Sequence, residues 1–362
     1  MSLAARTATI LLATGAMLIP ASAHASWTVK GHGFGHGVGL SQYGAYGFAE
    51  QGRSYKKILG HYYQQTKLGK AGGEPIRVLL DSGRGSVTFS GAGNACAERI
   101  SARRKYSLTA SGGGVELRSP DGDKITECGT EGKAGKGVKI GGVGRYRGDL
   151  VARNDNGSLL VINQLGVESY VMGVVANEVP SEWPTQALRS QAVVARSYGL
   201  ATDRDGPFDQ YADTRSQVYG GRSSETKATN AAVKATSGEV VKYRGETAIT
   251  YYFSTSGGQT ENSEFGFSGG NAVPYLKSVE DPFDDASPVH NWKESYSDDE
   301  MESQLTGLFS GKLQKIEVIE QGRSPRIVRA RVVGSSGSQV VTGDTLRARL
   351  ELLSTWARFK HR

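Results

Sequence analysis

Cysteine is nearly absent from this 362-residue chain, which holds only Cys96 and Cys128. No histidine or further cysteine lies beside either one, which disfavours a pair of metal ligands. In an oxidising compartment an even pair reads as a disulfide, here closing a loop of about 32 residues and contributing ~3 kcal/mol. Clusters of His, Asp and Glu at ligand spacing are missing too, so a metallohydrolase is disfavoured and no cofactor is expected. Long apolar runs are confined to Ile10–Ile19, and nothing later is long enough to cross a bilayer. Internal repeats, long low-complexity tracts and nucleic-acid fold motifs are also lacking, so no nucleic-acid partner is expected. Charge is not one-sided: Lys and Arg number 43 against 36 Asp and Glu, a net +7 spread along the chain. A basic export of this kind suits an anionic cell envelope.

What the chain does contain begins with an export signal. Met1–Ala25 has one arginine, the apolar stretch Ile10–Ile19, then Pro20 and the small-residue site Ala23-His24-Ala25. That pattern is a secretory signal peptide with cleavage before Ser26. Its apolar core is short for a membrane span, and no cysteine follows it for a lipid anchor. The mature protein is therefore expected to be secreted, with no integral membrane segment.

Glycine, at 49 residues, is nearly twice the usual share of ~7% and signals many turns and short strands. Short β-rich stretches between Ile76 and Ile162 are separated by turn signals at Pro120–Asp123 and Asn154–Gly157. The predicted class is α+β, a β-rich domain with a few helices. Residues 75–147 would form a lateral β subdomain pinned by the disulfide, with Glu131–Gly144 as a mobile loop. Helices are expected over Gly44–Lys67, with Tyr55, Ile58, Leu59, Tyr62 and Tyr63 as a core stripe, and over Thr226–Ser237, Met301–Phe309 and Gly343–Glu351.

The stretch that organises the chain is Val171–Leu200. Tyr170–Val175 is apolar and β-branched, which favours a buried strand. Val179 precedes a proline and is pushed out of the α region, so Asn177–Pro180 should be extended or turning. Pro184 suits a first helical position. From there Ala187, Leu188, Gln191, Ala192, Val194, Ala195 and Tyr198 recur at helical spacing, predicting a central helix over about 184–203 that Asp203–Pro207 stops. Glu178 then sits alone on a strand-to-helix connection, where chemistry is often carried. Arg189 and Arg196, seven residues apart, share one stripe of that helix. They would grip an anionic or sugar-hydroxyl ligand above Glu178, although basic residues on a helix face are usually just solvated.

A second stretch, Gly31–Gly47, has glycine at nearly every second position, with His32, His36, Ser41, Gln42 and Tyr43 among them. Such a backbone takes positive φ and lets a ligand approach closely, as an open glycan groove requires. For His36 the plainer alternative is a histidine buried in a tight turn and bonded to backbone. A dinucleotide site is not expected, because no long strand precedes this segment and no βαβ unit surrounds it.

The run EVPSEWPTQALRSQAVVARSY over Glu178–Tyr198 resembles the signature of the stage II sporulation protein D (SpoIID/LytB) family of peptidoglycan lytic transglycosylases and their relatives. Three further stretches agree with it: GHGFGHGVGLSQYGA over Gly31–Ala45, DTRSQVYGG over Asp213–Gly221, and FSTSGGQT over Phe253–Thr260. The resemblance implies a secreted, wall-associated enzyme acting on glycan strands, which family members in sporulation prefer denuded of stem peptides. Some relatives are described as enhancing a partner amidase, and the alternative for this chain is such a peptidoglycan-binding modulator of a cell-wall amidase, without turnover.

Carried onto this chain, the resemblance makes Glu178 the single acid and base. Arg189, Gln191 and Arg196 would bind glycan or hold Glu178, with a buried ion pair the alternative for Arg196. His36, Ser41, Gln42, Tyr43, Gln217 and Tyr219 are groove candidates. Two departures stand out. Some family members bind zinc near the region matching Asp213–Gly221 through a Cys and a His, and this chain has neither there. The glycine-histidine motif also stands at the mature N-terminus, whereas in the family it follows a segment like Gly343–Phe359. This circularly permuted order requires the termini to lie close together. Residues 26–70 would then complete a catalytic core formed by 148–362.

Overall fold

The computed structural model describes residues 26–73, 75–202 and 206–362. The signal peptide predicted over 1–25 lies outside the described residues, as do Asp203, Arg204 and Asp205 of the predicted helix stop. Among the described residues there are eight helices. These are α1 (Gln42–Glu50), α2 (Tyr55–Tyr62), α3 (Val167–Glu178), α4 (Thr185–Ala201), α5 (Lys227–Ala235), α6 (Ser263–Gly266), α7 (Asp298–Gln304) and α8 (Gly343–Arg349). Short strands supply the rest of the regular structure, so the fold is β-rich α+β.

Two sheets build the first half. Seven strands run in the order 210–211, 75–84, 158–166, 149–155, 131–134, 94–95 and 98–99. Six more run 124–127, 114–118, 106–111, 86–90, 139–140 and 144–145. Inward residues at every second position, such as Val87 with Phe89 and Leu159 with Val161, fill one shared core. The Cys96–Cys128 disulfide forms, with its Cα atoms 5.2 Å apart. The tract Glu131–Gly144 is not a loop. It contributes Glu131–Ala134 to one sheet and Lys139–Ile140 to the other. Residues 75–84 pair with 158–166, so the lateral segment and the SpoIID-like segment share a sheet.

The run Tyr170–Val175, expected as a strand, lies inside α3. Val167, Tyr170, Val171, Val174 and Val175 are all buried, and they recur at i, i+3, i+4, i+7 and i+8. Helical burial against α4 therefore overrides local β preference. The packing is close: a side-chain carbon on Gly199 of α4 would sit 2.8 Å from the Tyr170 ring. Helix α4 falls within the predicted 184–203, with Pro184 just outside as its cap. The α5 cap is Thr226, whose hydroxyl accepts from the Thr229 N–H.

A second core joins α1, α2 and α4, and it includes the predicted stripe Ile58, Leu59, Tyr62 and Tyr63. A third lies under the four-stranded sheet 309–310, 337–342, 327–334 and 313–321, with α7 and α8. Strand Ser26–His32 adds Trp27 and Val29 to that core, running between Asn291–Ser297 and Ala357–His361. Ser26 and Arg362 exchange backbone hydrogen bonds of 3.3 and 3.1 Å. The two ends of the described chain are thus neighbours, as the permuted motif order requires.

Candidate active site

Helix α3 ends on Glu178, and Val179 is extended at φ −139°, ψ 147°, as a residue before proline must be. Glu178 therefore stands on a helix-to-helix turn, not at the end of a strand. It lines a cavity of about 520 Å³. The other walls come from Phe34, His36 and Gln42 of the glycine-histidine segment, from Arg215 and Val218, from Tyr252, and from Arg347 of α8. Among the described residues lining this cavity, Glu178 is the one carboxylate.

Burial raises the pKa of Glu178 above the ordinary carboxylate range. The Val218 N–H, which donates to Oε1 at 2.8 Å, acts against that shift. So do the Tyr252 hydroxyl and the Gln42 amide beside the carboxyl, but burial is the larger effect. The orphan carbonyls at the C-terminal end of α3 favour the neutral acid further. Neighbours of Glu178 in the sequence act elsewhere. The charge of Arg189 is felt at Tyr55 on α2. Val179 is buried in the core, and Trp183 packs edge-on against Tyr43 and tilted against Tyr46, with ring centroids 5.0 and 5.2 Å away.

The two distant motifs meet at Gln42. Its Nε2 donates to the Glu178 backbone carbonyl at 3.2 Å and lies 3.5 Å from Gln191 Oε1. Gln191 is buried on α4 and supports this contact from below. His36 also lines the cavity, but both ring nitrogens are engaged with backbone. Nδ1 accepts from the Val38 N–H at 3.0 Å, so Nε2 carries the proton and donates to the Tyr252 carbonyl at 3.1 Å. Burial pushes its pKa down to about 3, so the ring is neutral and serves to anchor Tyr252. Gln217 lies behind Tyr252, accepting from its hydroxyl at 3.1 Å and donating to Tyr170 at 2.9 Å.

Other predicted groove residues are not in the groove. Ser41 is fully buried as the α1 cap, its hydroxyl accepting from the Gly44 N–H at 3.1 Å. Tyr219 is a core residue bonded to Asn163 at 2.6 Å. Arg196 has no exposed surface and forks onto Glu168 at 2.9 and 2.8 Å, while also bonding the carbonyls of Val233 and Glu239. It sits on the core side of α4, so the basic stripe splits between two environments. Arg189 does not line the cavity. Neither does Tyr43, which joins the aromatic cluster around Trp183.

Glycines 33, 35, 37 and 39 all have positive φ, the conformation predicted for this run. What approaches them is protein: a side-chain carbon on Gly39 would sit 2.0 Å from the Tyr251 carbonyl oxygen. The run is thereby docked on the 251–256 segment. Sequence reasoning missed Tyr252 and Arg347. The first stands one residue before the motif Phe253–Thr260, and the second lies inside the Gly343–Phe359 segment.

Residues 155–243, which hold α3, the Glu178 turn, α4 and the Val218 loop, match the family model described as "SpoIID: Stage II sporulation protein". This segment is the part of the chain similar to the SpoIID domain. Over 206 residues it is 27% identical to Stage II sporulation protein D of Bacillus subtilis, covering 52% of this chain and 57% of the relative. An uncharacterized protein of Brachyspira hyodysenteriae is 34% identical over 173 residues, or 47% of this chain and 46% of the relative. The Amidase enhancer of Bacillus subtilis is 36% identical over 136 residues, or 38% of this chain and 18% of the relative. The chain spans about half the length of the first relatives it matches. The SpoIID domain supplies Glu178, Gln191, Arg215 and Val218, whereas His36, Gln42, Tyr252 and Arg347 come from outside it.

Proposed function

We propose that this chain is a secreted, wall-associated lytic transglycosylase that cleaves peptidoglycan between N-acetylmuramic acid and N-acetylglucosamine. The observation that carries this reading is a lone carboxyl among the described residues lining the cavity, whose burial raises its pKa and so favours the acid form. A hydrolase needs a second carboxylate within about 5–10 Å of the first. Glu182 is exposed and engaged by Ser181 at 2.9 Å, and Glu168 is held by Arg196. A transglycosylase needs one. With Oε1 held by the Val218 N–H, Oε2 carries the proton and gives it to the glycosidic oxygen as the C1–O bond breaks. The 6-hydroxyl of the muramyl residue then attacks C1, and its proton passes to the carboxylate. The 1,6-anhydro ring closes, and Glu178 is again an acid. In the carboxylate interval the Val218 N–H stabilises the charge, and the Tyr252 hydroxyl adds to this by turning its proton from Gln217 to the carboxylate.

A second reading follows from the Amidase enhancer relative: a glycan-binding module that stimulates a cell-wall amidase without turnover. Mass spectrometry of purified glycan strands incubated with the wild type and with Glu178→Gln separates the two. Anhydromuramyl products from the wild type alone are the expected result. Reducing-end products would replace the transglycosylase with a hydrolase. Intact strands with retained binding in both proteins would leave the enhancer.

A further inference from the structure

Arg347 forms no ion pair among the described residues. It comes from α8, in the C-terminal part of the chain, yet it lines the same cavity as Glu178. Its Nε donates to the Leu352 carbonyl at 3.2 Å, and its two terminal nitrogens have no partner among the described residues. On its outer side it borders a depression with Asp344 and Glu351, and neither forms an ion pair with it. Asp344 is itself occupied by the N–H and hydroxyl of Ser268 at 3.2 and 2.7 Å. Burial lowers the Arg347 pKa, and the nearby charge of Asp344 offsets that only in part, so the guanidinium is partly stripped of water without an ion-pair partner.

Its charge is felt at His36 and Arg326 and is not among the influences on Glu178. Arg347 is therefore coupled to the His36 side of the cavity more than to the acid. The cavity's other cation, Arg215, is differently placed: it forks onto Asp213 at 2.9 and 2.7 Å and lies over the Tyr211 ring at 3.8 Å.

We infer that Arg347 receives a carboxylate of the bound glycan, at a subsite removed from the cut bond, and so selects acidic sugars over neutral ones. This rests on the glycan reading of the cavity. A guanidinium presents two parallel N–H donors that match the two oxygens of a carboxylate. Peptidoglycan offers that group in two places. One is the lactyl carboxyl of muramic acid, free once the stem peptide has been removed, and the other is the stem peptide itself.

The test is binding by the mature chain carrying Glu178→Gln, with and without Arg347→Gln or Arg347→Lys. The probes are peptide-free glycan strands, peptide-bearing strands and an uncharged chito-oligosaccharide, each at low and high salt. Arg347→Gln should weaken binding of the acidic strands about tenfold or more and flatten their salt dependence. Affinity for the chito-oligosaccharide should not change. Arg347→Lys should recover part of the loss, which a folding defect would not do. A loss confined to peptide-free strands assigns the lactyl carboxyl, and a loss confined to peptide-bearing strands assigns the stem. Equal weakening of all three probes overturns the inference, as does no change or no binding of acidic strands by Glu178→Gln alone. The two claims fail separately. Strands bound through Arg347 but never cut would refute only the enzyme, and strands cut by Arg347→Gln with unchanged KM would refute only the subsite.

Discussion

At the scale of single residues, Glu178 is governed by a contest between burial and hydrogen bonding that burial wins. In the proposed mechanism the protonated form starts the reaction. Activity should therefore fall as pH rises through the Glu178 pKa, and that alkaline limb should lie above the ordinary carboxylate range. Tyr252→Phe removes a group that favours the charged form, so it should move the limb to still higher pH. A kcat/KM profile from pH 4 to 9 for both proteins checks this, and a limb that stays put or moves down in Tyr252→Phe would refute it. Glu178 was legible in the sequence because Val179-Pro180 restricts the backbone around it. Tyr252 was not, because a tyrosine beside a strand becomes a site residue only through its distance from α3.

At the scale of elements, the antiparallel pair α3–α4 positions the acid, and the Arg196–Glu168 bridge clamps it. Arg196 also draws the Val233 and Glu239 carbonyls toward α4. Removing the guanidinium strands those groups, although Glu168, at 32% side-chain exposure, can recover water. Arg196→Leu should lower unfolding stability by about 2–3 kcal/mol. Urea titration measures that loss, while glycan affinity per folded molecule should remain unchanged. Lost affinity at unchanged stability would restore the ligand-gripping stripe read from sequence. That reading failed because two residues seven apart share a stripe without the sequence saying whether it faces solvent or core. The strand expected over Tyr170–Val175 failed similarly. Its β-branched residues also fit a helical period, and α4 decided between the two.

At the scale of the molecule, the site is assembled from chain ends and middle together. The glycine-histidine run follows a strand that pairs with the last strand, α8 supplies Arg347, and the SpoIID domain supplies Glu178. The disulfide lies apart from this assembly, between strands that give the cavity no residue. Replacing Cys96 and Cys128 together by serine should cost about 3 kcal/mol of stability. Calorimetry should show a lower Tm, while glycan cleavage at 25 °C stays at the wild-type rate. A drop in rate without a drop in Tm would mean that the lateral sheet communicates with the cavity.

The sequence by itself determined whatever rests on covalent and local constraints. Those include the extended Val179 before proline, the positive φ of alternate glycines, the extent of α4, the cysteine pairing and the isolation of Glu178 on a turn. Tertiary structure decided everything that depends on which surface a residue meets. It made a helix of a β-branched run, buried Arg196 and Ser41, and placed Tyr252 beside the acid. It also left Arg347 lining a cavity without an ion-pair partner among the described residues. Backbone torsions are set by neighbours within a few residues, whereas burial and electrostatics are set by whatever the fold brings alongside.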